Sequence, residues 1–256
     1  MSDGNNSAEV TGKKIFFLYP TVSIQNQIIS KLAQEEYEVY VAKDHTRLAR
    51  ALKDYPDSII FINIDENMPE PEWEKWIIST SSQMPEISIG IFSSSNNEDI
   101  KNKYIDTLHV SCGFTGLRVD MSGFTEKILN IVEKMNAKGR RKFIRASIEK
   151  ETNAVMNMPH NNDFLNGVIR DISIVGFSCV LESEPGLIKN SLVKDIQIKL
   201  QSMLLKVDAI VFGSRIEGEE KKYVLLFSKR LESEDCNKIR KYIQGNLQTK
   251  MDAEIN

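Results

Sequence analysis

Residues 14–19 (KIFFLY), 58–64 (SIIFINI) and 87–92 (ISIGIF) are apolar at nearly every position, and each leads into a stretch patterned for a helix. A strand that is apolar throughout is buried on both faces, and parallel sheets covered by helices contain such strands. The segments between them fit that plan. Ile24, Ile28, Ile29 and Leu32 recur at helical spacing, residues 38–42 (EVYVA) read as a second strand, and residues 46–54 as a second helix. Pro71 stands where a helix through WEKWII would begin. A helical NNEDIKNKYID follows the fourth strand, and residues 108–112 read as a weaker fifth strand. Phe124, Ile128, Ile131, Val132 and Met135 form the stripe of a last helix. Five strand–helix units imply a five-stranded parallel sheet with helices on both faces.

Beyond residue 136 the rhythm changes. Strand-like segments at 144–158, 164–172, 176–182, 191–200, 204–216 and 221–228 are separated by turn signals such as PHNND, EPG and EGEE. One helix closes the chain, with Ser233 as its N-cap and Ile239, Tyr242, Ile243 and Leu247 as its apolar stripe. The expected architecture is an antiparallel barrel or sandwich with a terminal helix. The polar, glycine-containing join NAKGRR places the domain boundary between 137 and 138. The domains expected are 13–137 and 138–250, after a solvated, disordered tail at 1–12.

Residues 1–136 carry 13 Lys+Arg against 20 Asp+Glu, a net of −7, and the rest of the chain carries +4. An anionic partner is therefore expected at the second half, with an excess too small for long duplex DNA. No segment is long and apolar enough for a membrane span, and the first residues lack the pattern of a signal peptide. Cys112, Cys179 and Cys236 are too scattered for a disulfide framework or a zinc site, and they fit small buried apolar roles in a reducing cytoplasm. His45, His109 and His160 share no metal-ligand spacing, so no metal site is expected. No nucleophile or phosphate-loop motif is present, which argues against an enzyme.

The second half opens on GRRKFIR, in which Arg141 and Arg145 form an RxxxR pair. One strand and a turn later comes DISIVG, a DxSxxG pattern carrying Asp171, Ser173 and Gly176. Arginine presents a planar fork of donors that pairs two-handed with phosphate oxygens or with guanine O6 and N7. Asp171 offers two acceptor oxygens, suited to a pair of adjacent donors, and Ser173 can add one short hydrogen bond. Gly176 lets backbone turn sharply or approach a ligand closely, and Arg140 is an additional phosphate contact. Two bland alternatives stand beside this. The basic run could be a solvated linker, and Asp171 and Ser173 could cap a turn between strands.

Together the two motifs resemble the PilZ family, whose signature is RxxxR followed by (D/N)xSxxG. The resemblance covers residues 140 to about 248 and implies a six-stranded barrel with a C-terminal helix. It also implies a receptor for cyclic di-GMP without catalytic activity or cofactor. The ligand set it implies here is Arg140, Arg141, Arg145, Asp171, Ser173 and Gly176.

The first half resembles a response-regulator receiver domain. Asp65-Glu66-Asn67-Met68-Pro69 matches the D-x-N-M-P after the third strand of receivers, and Ser93 or Ser94 falls where they carry Ser or Thr. Either Asn63 or Asp65 could occupy the phosphoacceptor position. The acidic pair after the first strand is replaced by Tyr19-Pro20-Thr21, and the lysine after the fifth strand by GFTGLR. Without hard oxygen ligands for Mg²⁺ the domain reads as a pseudo-receiver used for contact. Trp73 and Trp76, at i and i+3, fit core or interface packing. The chain then reads as a cytoplasmic signalling effector in which ligand capture alters domain arrangement or partner binding. Its downstream partner is a protein, flagellar or regulatory, and not a nucleic acid; motility, adhesion or virulence control would be usual for the family. The alternative is a ligand-independent PilZ-like adaptor.

Overall fold

The computed structural model describes residues 12–117, 120–148 and 154–255. The expected tail at 1–12 lies outside the described residues except for Gly12, as does Arg118 of the expected lysine position. Contacts divide the chain into two compact units. One comprises residues 1–142 together with 247–256, and the other residues 143–246.

In the first unit, β1 (Ile15–Leu18), β2 (Val39–Ala42), β3 (Ile59–Asn63), β4 (Ser88–Ser93) and β5 (Phe114–Gly116) form a parallel sheet in the order β2-β1-β3-β4-β5. This is one of the common doubly wound orders. Alternate residues of one strand serve opposite cores, as the apolar runs require. Phe16, Leu18, Ile60 and Ile62 join Trp73 and Ile77 on one face, while Ile15, Phe17, Ile59 and Phe61 join Phe124, Ile128 and Val132 on the other. The first helical segment winds as a π-helix at Ile24–Ile29 before α1 (Ser30–Gln34). Asp44 caps α2 (His45–Ala51) by accepting from the amides of Thr46 (2.8 Å) and Arg47 (2.9 Å). The expected helix at 46–54 thus starts one residue earlier and stops at Ala51. Next come α3 (Glu70–Gln83), with Pro71 in its first turn, and α4 (Glu98–Asn102), capped by Asn97 and continued by a π-helical turn. Last is α5 (Met121–Lys134).

The fifth strand is not at 108–112. The Leu108 amide still closes the preceding helical turn on Lys103 O, and His109 and Gly113 take positive φ, so the chain meets β4 first through Cys112 N on Ile89 O (2.8 Å) and pairs with it as a strand from Phe114.

The second unit is a closed antiparallel barrel of β7 (Ala154–His160), β8 (Asp163–Ser173), β9 (Gly176–Leu181), β10 (Leu192–Leu200), β11 (Met203–Glu217) and β12 (Glu220–Phe227). The sheet runs β8-β7-β10-β11-β12-β9, and a β8–β9 pairing closes it. Inward positions alternate along each strand, with Ile196, Ile198 and Leu200 on β10 and Leu205, Val207, Ala209 and Val211 on β11 all buried. The single strand expected at 144–158 is two strands. A two-residue β6 (Ala146–Ser147) pairs with β8, β7 begins at Ala154, and residues 149–153 lie outside the described residues.

The closing helix α6 (Ser233–Ile255) buries Ile239, Tyr242 and Ile243. Its last turns, however, belong to the first unit. Gln248 accepts from Val41 N (2.8 Å) and donates to Val41 O (3.0 Å), satisfying the outer edge of β2 as a neighbouring strand would. Met251 is buried with Tyr40, Ala42 and Leu48, and Tyr55 donates to Glu254 (2.7 Å).

Candidate functional site

The DxSxxG residues lie where β8 turns into β9. Ser173 and Gly176 face each other across Ile174 and Val175, so Ile172 pairs with Phe177 and Asp171 with Ser178. The register slips between Ile169 and Asp171, leaving Arg170 as a bulge residue whose guanidinium pairs with Glu220 on β12. A bulge of this kind re-aims the side chains beside it. Asp171 is then fixed from two sides. The Ser178 hydroxyl donates to its Oδ2, and Arg145 Nη1 lies 3.8 Å from its Oδ1.

Strand pairing puts Arg145 there. Ser147 pairs with Asp171 and Ala146 with Ile172, and the Ile148 amide donates to Arg170 O (2.7 Å). Arg145 therefore enters β6 diagonally across from Asp171, within reach for a long side chain. Its side chain remains 49% exposed, against 26% for Asp171.

The other expected site residues are arranged differently. Ser173 is 3% exposed, and its hydroxyl donates to Gly176 O (3.2 Å) and accepts from Val175 N (3.4 Å), the turn-capping role. Gly176 has an ordinary φ; a Cβ there would lie 2.3 Å from Leu225 O, so glycine lets β9 cross closely over β12. Arg140 and Arg141 are exposed and belong to the first unit. Immediately before them the chain is held, since Ala137 O accepts from Lys13 N (2.9 Å) and Lys138 bridges to Gly12.

Ser178 was not among the residues singled out by motif, yet it holds the Asp171 carboxylate. Counting a two-residue turn back from Gly176 would have placed it opposite Asp171. Cys179, on the inward face beside it, has its thiol pushed up to about 12 by burial and then by the Asp171 charge. Cys112 is buried too, whereas Cys236 is only half-buried.

At the C-terminal edge of the parallel sheet, Asp65 is exposed. It accepts from Ser93 Oγ (2.6 Å) and Ser94 N (2.6 Å). Asn63 is buried and donates to Tyr19 O (3.1 Å). Of the two candidates, Asp65 thus stands at the mouth with both serines, and Asn63 serves the backbone. Burial pushes the Asp65 carboxyl up, but the serine hydrogen bonds outweigh it and hold it below the ordinary aspartate range. Tyr19 takes φ +52° where the acidic pair would stand and reaches His45 Nδ1 (3.2 Å). Trp73, fully buried, packs edge-on to Tyr19 and Trp76, a core role. Among the described residues no group of His, Cys, Asp or Glu could hold a metal ion, and no helix is long and apolar enough to cross a membrane.

No family model matches the chain, and no curated protein matches it. Solved structures do. The complex of MrkH with c-di-GMP from K. pneumonia is 19% identical over 46% of this chain and 55% of its own, with a TM-score of 0.38. YcgR in complex with c-di-GMP from Escherichia coli is 15% identical over 46% of this chain, with a TM-score of 0.37, and this chain spans 49% of its length. These neighbours cover the C-terminal half. The N-terminal half is covered by receiver-domain structures, one being the signal receiver domain of an HD domain-containing protein from Pseudomonas fluorescens. It is 12% identical over 50% of this chain and 99% of its own, with a TM-score of 0.40.

Proposed function

We propose that the barrel is a receptor for cyclic di-GMP, bound through Arg141, Arg145, Asp171 and Ser173, with Arg140 as a further phosphate contact and Gly176 shaping the strand beneath. The observation that carries this reading is the β6–β8 pairing, which sets the second arginine of RxxxR beside the aspartate of DxSxxG. A half-exposed arginine 3.8 Å from a carboxylate makes only a weak ion pair, so its guanidinium can turn to a phosphate or to guanine O6 and N7 at little cost. The Asp171 carboxylate, oriented by Ser178, then takes the two donors of the guanine edge. Capture would fix the path of the chain through residues 139–142 and so change what the protein presents to a partner. The first unit acts by contact, because its Asp65 is engaged by serines and Tyr19-Pro20-Thr21 stands where an acidic pair would hold Mg²⁺.

One observation favours the ligand-independent adaptor: the Ser173 hydroxyl is buried and already used within its turn. Calorimetric titration of the full chain with cyclic di-GMP separates the two. Saturable binding that weakens with salt supports the receptor. Absence of heat and of protection in a thermal melt supports the adaptor.

A further inference from the structure

A groove of about 360 Å³ crosses the outer face of β7, β8 and β10, and the RxxxR and DxSxxG motifs contribute nothing to it. Its size is at the lower end of small-ligand sites, which run from about 300 to 1,000 Å³. Val155 and Val168 give it an apolar wall, and Leu204, 69% exposed, stands at its rim. The Asn157 Oδ1 atom is buried with no hydrogen-bond partner. An unmet acceptor of that kind is costly unless something donates to it. Beside it, Glu182 accepts from Asn166 Nδ2 (3.2 Å), and Lys199 lines the far side on β10.

The groove lies on the same outer face as Asp171. Going along β8 and β9, the outward pairs are Asp171 with Ser178, Val168 with Val180, and then Asn166, whose carbonyl accepts from Glu182 N (3.1 Å). Counted along β9, because the bulge at Arg170 adds a residue to β8 without adding length, the groove begins two residues from Ser178 at Val180 and reaches Glu182 four residues on, a span of about 7–14 Å. That span suits two bases joined through a small phosphodiester ring. The donors and acceptors also fit one base over the other. Guanine carries adjacent N–H donors for Asn157 Oδ1 and Glu182, and its O6 and N7 accept from Lys199. Adenine offers no acceptor at position 6 to Lys199.

We propose that this groove is a second base subsite, taking one guanine of a cyclic dinucleotide whose other guanine is held at Asp171. The proposal rests on the reading of the barrel as a cyclic di-GMP receptor and adds a specificity determinant outside both motifs.

The test uses the full chain and two probes, cyclic di-GMP and the hybrid 3′,3′-cyclic GMP-AMP, which keeps one guanine. Wild type should bind cyclic di-GMP about tenfold or more tightly than the hybrid. Asn157→Leu and Glu182→Gln should lose most of that preference, with cyclic di-GMP affinity falling about tenfold and hybrid affinity nearly unchanged. Without ligand, Asn157→Leu should melt no lower than wild type, since it removes a buried acceptor that nothing in the protein donates to, and Glu182→Gln, which keeps an oxygen for Asn166, should melt close to it. If wild type binds cyclic di-GMP but the variants bind it equally well, or if wild type does not separate the two probes, the subsite is wrong and the receptor reading stands. If wild type binds neither probe, the receptor reading fails and the subsite with it.

Discussion

Arg145 Nη1, at the entry to β6, stands 3.8 Å from Asp171 Oδ1 on the neighbouring β8, with half of the arginine side chain in solvent. A pair so exposed contributes about 0–1 kcal/mol to stability, so folding alone does not account for a bulge, a two-residue strand and a buried serine converging on one carboxylate. The carboxylate is oriented on one oxygen by a fixed hydroxyl and faces a movable cation on the other, a suitable state for receiving a ligand that carries both N–H donors and phosphates.

Ser178→Ala tests that orientation. Removing the hydroxyl leaves Asp171 exposed to the same solvent but free to rotate. Affinity for cyclic di-GMP should fall about tenfold, the equivalent of about 1.4 kcal/mol, within the range for a hydrogen bond to a charged group. Calorimetry measures it, and unchanged affinity would mean the Ser178 contact is structural only.

How much of this was legible in the sequence depends on which constraint acted. The parallel strands were visible because burial on both faces leaves no polar position, and Phe16 and Phe17 do face opposite cores. The fifth strand was misplaced because the apolar LHVSC segment holds a helix end and a positive-φ turn at His109, with a second at Gly113 just after it, which periodicity does not register. The stripe of α6 was right at Ile239, Tyr242 and Ile243, yet nothing in that pattern says that Gln248 and Met251 complete the first unit. Asp171 and Arg145 were legible as motif residues. Their junction depends on the β6–β8 register, and the groove on side chains from two hairpins, β7–β8 and β10–β11, with Glu182 from the segment between them.

Met251→Ala should destabilise the first unit by about 2–5 kcal/mol, the usual cost of truncating a buried methionine. Thermal unfolding followed by the tryptophans, both in α3 of the first unit, should report it. Loss of less than about 0.5 kcal/mol would mean the last turns of α6 do not belong to that core.

Acetyl phosphate with Mg²⁺ should leave the protein unphosphorylated by mass spectrometry, and an adduct on Asp65 would overturn the pseudo-receiver reading. Asp65→Asn carries a pH signature as well. The folded carboxyl titrates below its ordinary value of 3.8, so its stabilising contribution is complete above that value and is lost as pH falls through the depressed one. The variant should melt below wild type at pH 7, and the gap should close in acid.

Trypsin should cut quickly after Arg140, Arg141 or Lys142, which are exposed without ligand. Saturating cyclic di-GMP should slow that cleavage strongly. Tight binding with undiminished cleavage would remove Arg140 and Arg141 from the site.

The most direct measurement is calorimetric titration of cyclic di-GMP into wild type, Arg141→Ala, Arg145→Ala, the double arginine variant and Asp171→Ala. Each arginine removes a charge-assisted contact of about 1.5–3 kcal/mol, so affinity should fall at least tenfold, and Asp171→Ala should lose its preference for guanine while keeping weak, salt-sensitive attraction. A double arginine variant that binds as tightly as wild type would contradict the account.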